Sequence, residues 1–200
     1  MITIAVSSQK GGVGKTTTAI NLATGLAMAE HPTLLIDLDP QCNATTGLGM
    51  RPAERHALAL NKTLEEAVAL TETPRLSILP GSRSFQDVEA LARESDATAN
   101  TLRGYLTEAS NRFDYVLIDC PPSLGHLTEA ALQNANEVLM PIQCEYFAME
   151  GLTQMIQVIK RVMQQPNQQL EFGGILLTMY DHTLELTAEV DAEVREFFGE

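Results

Sequence analysis

The feature that most constrains the fold is "ITIAVSSQKGGVGKTTTAINLA", where an apolar run, Ile2–Val6, meets a glycine-rich turn and then a helical pattern from Lys15. A strand that ends on glycines and reopens as a helix aims backbone N–H groups and a helix N-terminus at one point, which suits an anion. Gly11, Gly12 and Gly14 let the backbone wrap phosphates without Cβ clashes. Lys15 would supply a point charge for the β- and γ-phosphates, and Thr16 a hydroxyl for Mg²⁺. The loop departs from G-x-x-x-x-G-K-[ST] at one place. Its first glycine is replaced by Gln9, and a second lysine, Lys10, follows. Lys10 comes too early to duplicate Lys15. It is either a solvated lysine or a cation that reaches the nucleotide of a facing subunit, as an arginine finger does.

Beyond the loop, short aliphatic runs alternate with helical patterns. Strands are expected at Ile2–Ser7, Thr33–Asp37, Leu76–Leu79, Tyr115–Asp119, Glu137–Pro141 and Gly174–Thr178. Helices are expected at Lys15–Ala29, Leu64–Leu70, Phe85–Arg93, Asn100–Arg112, Leu127–Ala135, Met149–Gln164 and Leu186–Phe198. Runs such as "TLLID" and "YVLID" are apolar throughout, as in strands buried on both faces of a parallel sheet. The expectation is an α/β fold with a mostly parallel central sheet, helices on both faces and right-handed crossovers. Thr63 before "LEEA" reads as an N-cap with a glutamate at N3. Residues 44–63 read as a long loop with a short helix. The pattern closes on "EVREFFGE", a helix where a strand would normally follow, so residues 1–200 are expected to form a single domain that lacks C-terminal elements of its fold.

Composition narrows the partners. A formal net charge of −13 disfavours unaided binding to nucleic acid or to an anionic membrane. Three cysteines, Cys42, Cys120 and Cys144, have no C-x-x-C spacing and read as reduced thiols. The N-terminus lacks the basic residues and the long apolar run of a secretory signal, and no apolar run approaches the ~18 residues of a membrane span. A cytoplasmic location without stable membrane insertion is expected.

Asp37 and Asp39 follow the second strand, and Asp119 ends another. Two residues apart in an extended chain, Asp37 and Asp39 would point to one side. An aspartate at a strand end often only caps a turn. Beside a phosphate loop, Asp39 and Asp119 instead read as part of the site at the carboxyl ends of the sheet. Pro121–Pro122 stiffen the next turn, while Ser123 and Gly125 leave it able to move, as a γ-phosphate sensor requires.

"KGGVGKTT" resembles the deviant Walker A motif of the ParA/MinD superfamily. "LLIDLDPQCNAT" (Leu34–Thr45) is similar to the switch I region of ParA/Soj proteins, with Cys42 where glycine is usual. "VLIDCPPSL" (Val116–Leu124) is similar to their Walker B strand and switch II, and "PIQCEYFAMEGL" (Pro141–Leu152) to a further Soj-type segment. The resemblance runs from Met1 to Glu200 and implies a P-loop NTPase of the SIMIBI-like group.

By that resemblance the nucleotide site is Lys10, Gly11, Gly12, Val13, Gly14, Lys15, Thr16 and Thr17, with Thr178 near adenine. Lys10, Lys15 and Asp39 carry catalysis, Lys10 by crossing to the partner's ATP and Asp39 by orienting the attacking water. Thr16, Asp37 and Asp119 serve Mg²⁺, the aspartates through water. The resemblance implies a slow, partner-stimulated ATPase that partitions a chromosome or plasmid. Its ATP-bound sandwich homodimer would hold non-specific DNA on the nucleoid, and a ParB-like activator would release it. Soj relatives often carry a DNA-binding arginine where this chain has Thr183, a departure that argues against DNA contact through this stretch. Lys160–Arg161 and Arg51/Arg55 are small basic patches, better read as solvated charge. The alternative is the same switch positioning another cargo, a protein complex or a membrane-surface division-site regulator. An electron carrier of the nitrogenase-reductase type would need differently placed cysteines.

Overall fold

The computed structural model describes residues 1–60, 62–84, 87, 95–145, 148–164 and 169–198. Strand β1 (Ile2–Val6) leads through the glycine turn into helix α1 (Lys15–Met28). Then come β2 (Thr33–Asp37), α2 (Asn43–Gly47), a 3₁₀ turn (Ala57–Ala59), α3 (Leu64–Ala67), β3 (Ala69–Leu70) and β4 (Leu76–Leu79). The chain continues through α4 (Ser95–Ala109), β5 (Tyr115–Asp119), α5 (His126–Leu132), β6 (Glu137–Gln143), α6 (Ala148–Met163), β7 (Glu171–Thr178) and α7 (Glu185–Phe198). The expected helix at Phe85–Arg93 lies outside the described residues except Asp87.

The strands form one sheet in the order β3-β4-β2-β5-β1-β6-β7, parallel except for the β3·β4 pair. Successive residues of the central strands serve opposite faces. Leu34, Ile36, Val116 and Ile118 pack with α4, α5 and α6, whereas Leu35 and Leu117 pack with α1. Helix α1 meets the sheet through Ala19, Ala23 and Ala27, side chains small enough to bring its axis close. Burying a leucine or isoleucine of the central strands contributes roughly 1.5–3 kcal/mol, which is why these runs carry no polar alternation.

Several boundaries differ from the sequence expectations for physical reasons. The helical pattern at Leu64–Leu70 stops at Ala67, because Ala69–Leu70 pair antiparallel with β4. Thr63 does cap α3, with Glu66 completing a capping box. Strand β6 runs on through Pro141 to Gln143. Ser7 N–H donates to the Leu139 carbonyl at 3.1 Å. The next donor toward β1 would be Pro141, which has no N–H, so that ladder ends where the glycine turn departs. Strand β7 starts at Glu171 because a bulge lets the Gly173–Gly174 pair continue the pairing with β6.

Candidate functional site

Three strand ends meet at one level. Val6, which precedes the glycine turn, is the register partner of Asp119, and Asp119 that of Asp37. From β1 the chain crosses to β2 on one side, while β5 leads to β6 on the other. The crevice at such a reversal is where open α/β sheets hold ligands. A cleft of about 280 Å³ opens there, lined by the glycine turn, Lys15, Thr16, Thr17, Asp39 and Met179, among others.

The glycine turn is shaped for an anion. Gly12 and Gly14 stand at φ 80° and 89°, left-handed conformations that favour glycine. Gly14 is also the N-cap of α1, and no side chain caps that helix, so its first N–H groups face the cleft. A Cβ added at Gly11 would meet nothing within 4 Å. Its missing side chain keeps open the space in front of the loop.

Lys15 is buried, and its ammonium donates to the Lys10 carbonyl at 3.0 Å. Burial lowers its pKa, while Asp119 and Asp39 oppose that shift. Lys10 lies apart. Its ammonium is ion-paired with Glu145, and both side chains are about two-fifths exposed (42% and 41%). Thr178 braces the turn, its hydroxyl lying within hydrogen-bond distance of two carbonyls, that of Val13 at 2.8 Å and that of Ile142 at 3.1 Å.

The three aspartates have different surroundings. Asp119 accepts from the Thr16 hydroxyl at 2.7 Å through Oδ2, while its buried Oδ1 has no hydrogen-bond partner. Burial, with Asp37 and Asp39 nearby, pushes its carboxyl up to about 7. Asp37 is buried and satisfied: Oδ2 accepts from Thr45 N–H and Oγ1 at 2.8 and 2.6 Å, and Oδ1 from Asp39 N–H at 3.2 Å. Burial nonetheless raises its pKa. Asp39 lies just beyond the end of β2. Its Oδ1 accepts from Gln41 N–H at 2.9 Å, and it lines the cleft.

The orphaned Asp119 oxygen beside the Thr16 hydroxyl fits a Mg²⁺ site. Among the described residues no three acidic, histidine or cysteine side chains converge on a metal position. An ion there would be held largely by phosphate oxygens and water, with Thr16 and Asp119 the residues placed to serve it. Cys42 and Cys120 are buried with their thiols pushed up, Cys42 to about 11, so neither is an activated nucleophile.

The cleft wall also holds Gln41 and Asn43 from the segment similar to switch I, Pro122 from the proline turn after β5, and Met179, which no motif marks. Met179 is brought in by a left-handed turn (φ 51°) at the end of β7. Glu145 lies inside the "PIQCEYFAMEGL" segment, yet nothing local marks it as the partner of Lys10. Of the basic patches, Arg55 is bound to Asp87 and Arg161 to Glu129.

A parallel sheet that gathers a phosphate loop and acidic strand ends at its carboxyl edge is the arrangement of P-loop nucleoside-triphosphate-binding proteins. The AAA-domain family profile matches residues 1–172. The chromosome partitioning protein ParA of Myxococcus xanthus is 44% identical over 200 residues, covering 98% of this chain and 71% of its own. The sporulation initiation inhibitor protein Soj of Bacillus subtilis is 38% identical, covering 98% of this chain and 79% of its own. The chain belongs to the ParA/Soj family of ATPases. Among solved structures, cobyrinic acid a,c-diamide synthase from Mycobacterium smegmatis with bound ADP and magnesium superimposes with a TM-score of 0.89. It is 34% identical and covers 98% of this chain and 82% of its own. The septum site-determining protein MinD of Pyrococcus horikoshii, complexed with Mg-ADP, gives a TM-score of 0.77 at 25% identity, covering 94% and 76%.

Proposed function

We propose that the chain is an ATP-binding and hydrolysing dimerisation switch that partitions a chromosome or plasmid. The observation that carries this reading is the division of labour between two lysines. Lys15 lines the cleft, whereas Lys10 pairs outside it with Glu145. A cation at the mouth of a phosphate site that its own chain does not use there is available to a nucleotide held by a second copy.

In this reading the N-terminus of α1 and the residues from Lys10 to Thr17 bind the phosphates. Bound magnesium offsets negative charge on the β- and γ-phosphates. Thr16 and Asp119 hold its coordination shell, and Asp37 shapes the turn behind it. Asp39 orients the water for attack, and Lys10 from the facing copy stabilises charge on the transferred phosphoryl group. Thr178, which braces the turn from behind, helps bound the adenine side. The closed dimer would hold non-specific DNA on the nucleoid in the cytoplasm, and a ParB-like activator would stimulate slow hydrolysis and release it.

A second reading, the same switch on a different cargo, draws support from the loop after β7. Thr183 donates to Asp181 through both N–H and hydroxyl, at 2.9 and 2.6 Å, so that loop presents a carboxylate-centred turn and no cation of its own at position 183. No helix among the described residues is long and apolar enough to cross a membrane. Co-sedimentation with DNA separates the two readings. The partition reading predicts binding with ATP but not ADP, weakening steeply with salt. Absent or salt-insensitive binding by the full-length protein favours the other cargo.

A further inference from the structure

His56 belongs to no motif and lies in the irregular stretch between α2 and α3. It is nevertheless buried at 5% exposure, and both its main-chain and ring polar atoms are engaged. Its position explains how the end of β2 is held. The β2·β4 ladder pairs Ile36 with Leu79, and Thr33 N–H donates to the Arg75 carbonyl at 2.9 Å. One more step of that parallel pattern would carry the Gly81 N–H to the Asp37 carbonyl. Gly81 N–H turns away and donates to Thr45 Oγ1 at 2.9 Å. The Asp37 carbonyl is met instead by the His56 ring, with Nε2 at 3.1 Å. Leu58 N–H donates to Nδ1 at 3.2 Å, so the ring is the neutral tautomer with its proton on Nε2. Asp87, itself buried, anchors the residue by accepting from His56 N–H at 2.6 Å and from Arg55 Nε at 2.5 Å.

We propose that His56 is a positioning residue for Asp39. Its imidazole replaces a missing ladder bond and fixes the peptide from which the chain leaves β2 toward the cleft. The other side of that peptide is clamped to the sheet, since Leu38 N–H donates to the Asp119 carbonyl at 3.0 Å. With both sides held, Asp39 follows one residue later in a single direction. The proposal rests on the reading that Asp39 orients the attacking water.

Two substitutions separate positioning from mere support. His56→Asn keeps an acceptor for Leu58 N–H but cannot reach the Asp37 carbonyl, whereas His56→Gln places an amide donor near the position of Nε2. In full-length protein with Mg-ATP, His56→Asn should bind ATP within about twofold of wild type. Its single-turnover hydrolysis should fall roughly 10- to 100-fold, the scale of a small misplacement of a reacting group. His56→Gln should recover most of that rate, and His56→Asn should add nothing to the loss in Asp39→Ala. A wild-type rate in His56→Asn, or a His56→Gln rate no better than that of His56→Asn, overturns the proposal. So does a further loss in the double variant. If Asp39→Ala itself turns over at the wild-type rate, the reading of Asp39 fails and the proposal fails with it. An inactive Asp39→Ala beside a fully active His56→Asn overturns the positioning role alone.

Discussion

Lys10 and Glu145 are ion-paired within one chain at the mouth of the phosphate cleft, and both side chains remain substantially exposed. An exposed pair of this kind contributes about 0–1 kcal/mol, so Lys10 can be released at little cost. We predict that Glu145→Gln strengthens ATP-dependent dimerisation by up to about fivefold, the equivalent of that energy. Sedimentation at graded protein concentrations measures it. A weaker dimer in the variant would mean that Glu145 works within the closed state.

Asp119 predicts a pH dependence. Its folded-state pKa of about 7 lies above the ordinary 3.8. Between those values the folded chain keeps a proton that the unfolded chain has lost. Its contribution to the stability of the nucleotide-free protein therefore falls as pH rises from about 4 through about 7. A cation beside Asp119 favours the charged form, so stabilisation by Mg-ADP should grow between about pH 6 and about pH 8. Thermal unfolding with and without Mg-ADP tests this at both values. The same growth in Asp119→Asn would assign it to the nucleotide's own phosphate.

Asp37 and Asp39 should separate in their effects. Asp37→Ala leaves three donors without their buried carboxylate and should cost about 2–4 kcal/mol of stability. Asp39→Ala loses the Gln41 contact and should cost under about 1 kcal/mol. Its single-turnover hydrolysis should nonetheless fall by about 100-fold or more. Denaturant unfolding together with single-turnover assays decides. The opposite pattern would exchange the two roles.

What the sequence made legible follows from how local each signal is. The glycine turn was readable because its strand, its positive-φ glycines, its lysine and its helix are contiguous. The central strands were readable because burial on both faces leaves apolar runs. Asp37 was harder to read. Its spacing from Asp39 suggested a shared face, but nothing in that stretch marks Thr45, which the returning chain brings onto its carboxylate. Long-range partners left no local trace: Glu145 for Lys10, His56 for the Asp37 carbonyl and Met179 in the cleft wall. The end of the Leu64–Leu70 pattern was likewise set from outside, by pairing with β4.

Cys42 offers a test of backbone strain. It occupies a left-handed conformation, φ 56° and ψ 35°, as the residue that begins α2. A non-glycine residue there costs on the order of 1 kcal/mol. Cys42→Ala removes the thiol's packing and keeps the strain, whereas Cys42→Gly removes both. The glycine variant should therefore be at least as stable as the alanine variant, reversing the usual order. Denaturant midpoints compare them. An alanine variant more stable by about 1 kcal/mol would contradict this account of the turn.

The most direct test of the switch is the mass of the protein in solution with ATP, for wild type and Lys10→Ala, measured by sedimentation equilibrium beside an ATP-binding titration. Wild type should become a dimer with ATP, whereas Lys10→Ala should bind ATP with similar affinity and stay monomeric. An ATP dimer of undiminished stability in Lys10→Ala would contradict the claim that this lysine closes one subunit over the nucleotide of the other.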